Sequence, residues 1–470
     1  MNSQRKKFAT MTSTCLHVLA MTGVALAATT AQAMSFAQAW DASRQYDAQY
    51  QSATHELASA QQSVPIARAA LLPQVALNTS TNEVTGSREF PNSLNQQVRT
   101  RLDYAAPQTS LSLRLPIFNR EAHSRLGQAQ AQTEVAESLF RAKGLDLVDR
   151  LAVAYMQVLL AQDSRRLTEL QLQAQAVQLK QLQQRLQRGE GTRVETAQSQ
   201  AALDVLSVRR TESDDQLELT RRQLRRITGL PTPELRSLAG DYQPAPMPAE
   251  SLTEWLEIAV RQSPSLQARQ QALVAAKMNV QRNFAGHFPR LDLVASASHS
   301  QNETTSSLNQ TTSLRSLGLQ LSVPIFSGGG VDASVKQALS DQSRAEEEIR
   351  IERETLEIEV QRYYQATQTG QARIEAMRTS VAAAELALLG TQRALEAGLS
   401  TGNDVAEAQA RLFGTRRELA QMRLDYLLAR TRLMVQAGMP MAEVAADVDR
   451  ALVADTTPAM PAPAQTPVRP

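Results

Sequence analysis

The chain has 470 residues, a formal charge of +2 and 42% hydrophobic side chains, yet only 4% aromatics, which excludes a large aromatic-rich globular core. Gln, Ala, Leu, Arg and Glu dominate long stretches, the composition of long helices and coiled coils. The near-neutral balance gives no electrostatic reason to expect nucleic acid as a partner.

Arg5, Lys6 and Lys7 precede a short apolar run, Leu16 to Ala28, and Ala31-Gln32-Ala33 supplies an A-x-A cleavage site. This pattern predicts an export signal over 1–33, cut between Ala33 and Met34, and the run is too short for a membrane-spanning helix. Losing those three cations takes the formal charge from +2 to −1. Cys15, the single cysteine, lies in this segment, so the mature chain is expected to lack disulfides, thiolate ligands and a cysteine nucleophile.

Phe36 to Ala70 reads as helix with alternating apolar and Gln/Ser faces, and Leu252 to Ala285 is its counterpart. Proline ends each of them, at Pro73 and Pro289, and a two-residue period then predicts strands. Strands are expected at about 73–85 and 108–118, and again at 289–301 and 312–326. Leu111, Leu113, Leu115 and Ile117 share one face against Ser110, Ser112 and Arg114; Leu317, Leu319, Leu321 and Val323 oppose Gly318, Gln320 and Ser322. Gly86 to Pro107 and Asn302 to Thr311 read as polar connections.

The period then becomes helical without proline from Asn119 to Arg188 and from Val331 to Ala397. Leu145, Val148, Leu151, Tyr155, Val158 and Leu159 form an apolar seam, continued at Leu167, Leu170, Val177, Leu182 and Leu186. Each rod turns back at glycines, Gly189 and Gly191 in one case, Gly398 and Gly402 in the other. The return helices, Val194 to Ile227 and Asp404 to Val435, end at Gly229-Leu230-Pro231 and Gly438-Met439-Pro440. The long helical hairpins thus span 119–228 and 331–437. A linker at 241–251 separates repeat one, 34–240, from repeat two, 252–440; a tail follows over 441–470, with five prolines from Thr456 onward that predict disorder.

The chain is therefore a duplication: LSLRLPIF at 111–118 returns as LQLSVPIF at 319–326, and the other echoes keep an offset between 208 and 216 residues. Four strands with one greasy face cannot close a membrane barrel, since the smallest need about eight. Open edges are not tolerated in lipid, so strands in a membrane require several chains to share one barrel.

The two Pro-Ile-Phe strands, Pro-Ile-Phe-Ser-Gly-Gly-Gly at 324–330 before a long helix, and the Gly398, Asp404, Val405, Gln409 turn motif resemble the TolC-like outer-membrane efflux proteins. The likeness covers nearly the whole mature chain. It implies an α+β membrane protein: a homotrimer sharing one 12-stranded β-barrel, four strands from each chain, continued by a long α-helical periplasmic barrel with an equatorial belt. It further implies an outer-membrane location reaching into the periplasm of a Gram-negative cell. The partners it implies are a periplasmic adaptor (membrane fusion protein), an inner-membrane ABC transporter, outer-membrane lipid and an exported substrate, with a protein expected as cargo.

The resemblance also assigns Asp404 and Glu407 to a periplasmic constriction. Three residues apart at a helix start, their carboxylates share one face. From the residues alone, Asp404 reads as a first-turn or N-cap acid with Glu407 as its capping companion. Contacts that lock the tip map to Val194 and Glu195 in repeat one and Leu395 and Ser400 in repeat two. Leu395 replaces an aromatic hydroxyl and Ser400 a basic residue, so that lock is chemically different here.

No cofactor is expected. The mature histidines, His55, His123, His287 and His299, lack metal spacing. Ser327-Gly328-Gly329-Gly330 lacks the lysine and hydroxyl of a P-loop and reads as a strand-to-helix turn. The expected role is a passive, non-enzymatic exit duct, serving type I secretion of a protein toxin; a drug-efflux duct and a soluble periplasmic coiled-coil adaptor are the alternatives.

Overall fold

The computed structural model describes residues 33–91, 93–231, 235–238, 246–302 and 310–453. The export signal and the proline-rich end lie outside these residues, as does part of the linker. Repeat one begins with α1 (Phe36–Tyr46), α2 (Ala48–Gln61) and α3 (Ser63–Ala69). The single helix expected there is broken because the Asp47 side chain accepts from the Tyr50 N–H and starts a new helix. Repeat two breaks at the same place: α6 (Leu252–Gln262) ends at Ser263, which caps α7 (Pro264–Phe284) with Pro264 in its first turn.

Strands β1 (Gln74–Pro91) and β2 (Gln97–Phe118) are longer than the period predicted, and most of Gly86–Pro107 is paired strand. That segment's polar residues alternate with apolar ones with the two faces exchanged relative to the strand below, so composition hid the period. In repeat two, β4 (Arg290–Asn302) pairs with β5 (Gln310–Ser322), and Val323 to Phe326 lie beyond the strand's end. The four strands form one antiparallel sheet, β1-β2-β4-β5, with the repeats joined by β2 against β4. Among the described residues β1 and β5 each have one partner, which leaves two open edges.

Each sheet half runs into a rod. α4 (Arg120–Gln187) has 68 residues and α8 (Gly330–Glu396) 67, about 100 Å each at 1.5 Å per residue. They turn back as α5 (Arg193–Thr228) and α9 (Gly402–Gln436). α5, α2 and α3 all lie along α4, while α9 and α7 lie along both α4 and α8. The left-handed Gly229 that ends α5 abuts Tyr46 at the α1–α2 break, and Gly438 after α9 abuts Gln262 at the α6–α7 break. Each return helix is thus extended in space by a helix from the start of its own repeat.

The core sits at mid-length. Val148, Leu151, Tyr155 and Val158 of the predicted seam are fully buried there with Leu147, Phe36, Trp255, Leu427 and Leu433. The Tyr155 hydroxyl donates to the Met34 carbonyl at 2.7 Å, and Trp255 Nε1 donates to the Ala249 carbonyl at 3.1 Å. The start of the tail is ordered structure: α10 (Met441–Ala451) packs on α9 and α1, and two short strands, β3 (Ser237–Leu238) and β6 (Leu452–Val453), pair beside it. Linker and terminal segments therefore gird the rods at their middle.

Below that girdle the seam changes character. Val177 is exposed, and Gln171, Gln175 and Gln178 are buried in its place, spaced four and three residues apart on one face of α4. Leu182 of the predicted seam is buried there too, whereas the apolar periodicity passed over the glutamines, because glutamine counts as polar yet can be buried when its amide is paired.

Candidate functional site

The sheet has two chemically distinct faces. Register places Val75, Leu77, Leu111, Leu113, Leu115, Leu293, Leu317, Leu319 and Leu321 on one side. Val75, Leu77, Leu317, Leu319 and Leu321 are each more than half exposed, a greasy band bounded on β5 by Arg315, which register puts on the same side. The other side carries Asn78, Ser110, Ser112, Ser296, Ser298 and Ser316, small neutral hydroxyls and amides. At its base Arg114 donates to Asp292 at 2.5 Å, and the Asp292 side chain is only 5% exposed. That charge is internally neutralised, so the wet face is close to uncharged. Among the described residues no helix is long and apolar enough to cross a membrane, which says nothing of strands.

At the opposite end the two hairpin tips are built alike. Gly189 and Gly398 take positive φ, 78° and 76°, and let Glu190 N–H reach the Arg185 carbonyl and Leu399 N–H the Ala394 carbonyl. Gly191 closes against the backbone of Leu186, and Gly402 starts α9 against Leu182. Thr192 caps α5 and Thr401 caps α9, each in a full capping box whose third member is Glu195 or Asp404. Asp404 is therefore a first-turn capping acid as well as a solvent-facing one. Its Oδ2 accepts from Thr401 N–H at 2.7 Å, Thr401 Oγ1 at 2.8 Å and Ser400 Oγ at 2.9 Å. The Thr401 backbone N–H first, then the Thr401 and Ser400 hydroxyls, hold its carboxyl below the usual carboxylate range.

Glu407 shares that helix face but accepts from Arg411 Nη2 at 3.0 Å, an exposed pair one turn on. Of the expected tip contacts, Ser400 is bound to its own chain's Asp404, Val194 stands 64% exposed, and Leu395 is half-buried. Glu195 binds its own cap, with Oε2 accepting from Thr192 N–H at 3.1 Å.

Two residues that periodicity did not single out hold the tips together. Gln175 Nε2 donates to Ser199 Oγ at 3.0 Å, and Gln178 Nε2 donates to the Gly402 carbonyl at 2.5 Å. One face of α4 thereby pins the start of both return helices. The signal available was the spacing of Gln171, Gln175 and Gln178, four and three residues apart on the side of the apolar seam.

Among the described residues no group of three His, Cys, Asp or Glu could hold a metal. Gly328 and Gly329 take positive φ, 62° and 78°, in the turn that starts α8, the strand-to-helix role expected of them.

The chain is 32% identical over 428 residues to the proteases secretion protein PrtF of Dickeya chrysanthemi, covering 90% of this chain and 92% of that one. It is 31% identical over 396 residues to the alkaline protease secretion protein AprF of Pseudomonas aeruginosa, covering 84% and 82%. Its fold matches the solved structure of CusC with a TM-score of 0.74 at 18% identity, covering 86% of this chain and 92% of that one. The family model described as outer membrane efflux protein matches residues 39–230 and 255–439, and with the duplicated sheet-and-rod architecture this shows that the chain belongs to the outer membrane efflux protein family.

Proposed function

We propose that three copies of this chain close one twelve-stranded barrel in the outer membrane and one helical tunnel in the periplasm, forming the exit duct of a type I secretion system that exports a protein. The observation that carries this is the sheet: an apolar outer face, a hydroxyl-lined inner face and two open edges on a ribbon of four strands. In lipid each unpaired amide costs several kcal/mol, so β1 of one copy must pair with β5 of the next. The protease-secretion relatives favour a protein as cargo. A periplasmic adaptor at the tips and an inner-membrane ABC transporter supply the energy in this scheme.

Three copies of Asp404 and Glu407 would ring the tunnel's narrow end and draw cations. The paired Arg411 offsets part of the Glu407 charge, which makes Asp404 the principal acid of the ring. The test is deletion of the gene in its native cell, followed by assay of the culture supernatant. Loss of an exported protein, with a heat-modifiable trimer in the wild-type outer membrane, supports the reading. Unchanged secretion with altered sensitivity to small toxic compounds would assign the duct to efflux instead.

A further inference from the structure

The β1–β2 hairpin is out of proportion to the rest of the sheet. Its strands have 18 and 22 residues against 13 in each of β4 and β5. Pairing of β2 with β4 stops at Gln108–Ser300, whereas β1 and β2 stay paired from Thr81–Pro107 to Pro91–Gln97. Over this stretch, which pairs with no other described strand, the two faces exchange character. The side continuous with the greasy face carries Glu83, Asp103, Arg101, Glu89 and Arg99. The side continuous with the serine-lined face carries Ala106, Val84, Tyr104 and Leu102, then Arg88, then Phe90 and Val98. Burial follows the same alternation: Val84, Leu102, Tyr104 and Ala106 are half-buried, while Glu83, Thr85, Arg101 and Asp103 are exposed.

Charged Glu83 and Asp103 keep the outer side out of lipid, so the apolar side cannot be a lipid anchor without inverting the strand register. In the proposed barrel it looks toward the pore, where the same face of each neighbouring copy looks back at it. We infer that the apolar faces of these hairpins from neighbouring copies meet over the pore mouth and close the outer end of the duct with an apolar seal. The inference rests on the trimeric barrel proposed above. Reach is sufficient: ten steps at about 3.4 Å give a ribbon of roughly 34 Å, against a backbone radius of about 12 Å for twelve strands tilted ~40°. Ala106, Val84, Tyr104 and Leu102 form the lower band, which would exclude water from the constriction. Arg88 marks the upper limit of that band.

The test uses the full chain, whose single cysteine is Cys15 in the export signal. Leu102→Cys and the outward control Asp103→Cys are expressed separately, and outer membranes are oxidised mildly before denaturing electrophoresis. The expected result is disulfide-linked pairs of copies for Leu102→Cys and none for Asp103→Cys. In planar bilayers, Leu102→Asp with Tyr104→Asp should raise conductance roughly two-fold or more by wetting the mouth. Trimers that survive on native gels without a Leu102→Cys cross-link, or equal linking at both positions, overturn the seal alone. Absence of trimers overturns the barrel reading and the seal with it.

Discussion

Arg430 on α9 and Asp447 on α10 form an ion pair whose side chains are only 2% and 4% exposed. Arg430 Nε donates to Oδ2 at 2.6 Å, its Nη2 donates to Oδ1 at 2.8 Å, and Nη2 also reaches the Pro246 carbonyl at 3.2 Å. The pair ties the linker, the return helix of repeat two and the terminal helix at the girdle. Asp447→Ala removes both carboxylate acceptors from a desolvated guanidinium, which typically costs 3–5 kcal/mol, or roughly a hundred- to several-thousand-fold in a local opening equilibrium. Arg450, 66% exposed, also contacts Asp447 and adds little. Hydrogen exchange of the α10 amides in detergent measures this directly, without requiring reversible unfolding of the assembly. The double variant Arg430→Met, Asp447→Leu removes both charges at similar volume and should regain most of the protection. If Asp447→Ala accelerates α10 exchange less than about ten-fold, or if the double variant is as open as the single, the account of this girdle is wrong.

At the tip, Asp404→Ala with Glu407→Ala should lower cation selectivity in planar bilayers; an unchanged reversal potential sinks the assignment of these acids to the constriction. The folded-state carboxyl of Asp404 lies below its unfolded value, so its capping contribution is present above that unfolded value and is lost as pH falls through the folded one. In a Glu407→Gln background, selectivity should therefore persist below about pH 4, and Ser400→Ala should move its loss to higher pH; a midpoint that ignores Ser400 counts against the hydrogen-bond account. Gly438→Ala places a Cβ 2.5 Å from the Gln262 carbonyl at a φ of 71°, and should cost roughly 2 kcal/mol or more. Gly414→Ala, inside α9 with open space around it, serves as the control and should raise stability by up to about 1 kcal/mol in thermal melts. Gln178→Ala frees the Gly402 carbonyl and should raise channel opening at the tip; single-channel open probability equal to wild type would show that this bond holds nothing shut.

Much of this architecture is legible from local pattern. Prolines 73 and 289, glycines 189, 229, 398 and 438, and the alternation at 111–117 and 317–323 mark element ends and periods that depend only on neighbours in sequence. The duplication makes each mark appear twice. Where neighbours could not tell, the reading failed in identifiable ways. The breaks at Asp47 and Ser263 depend on side-chain caps, which composition reads as ordinary polar helix positions. The strand through Gly86–Pro107 was hidden because its two faces trade polarity above the greasy band.

Sequence by itself determined the repeat, the rods, the turns and the two-faced strands, because each is a periodicity or a backbone constraint confined to a few consecutive residues. Tertiary structure alone decided that Gln175 and Gln178 are buried ties, that Asp404 is bound into its own cap, and that α10 locks to α9 through Arg430 and Asp447. Those outcomes depend on which desolvated polar group finds a partner, and the partners lie 17 to 224 residues away, with the cap of Asp404 the one local exception.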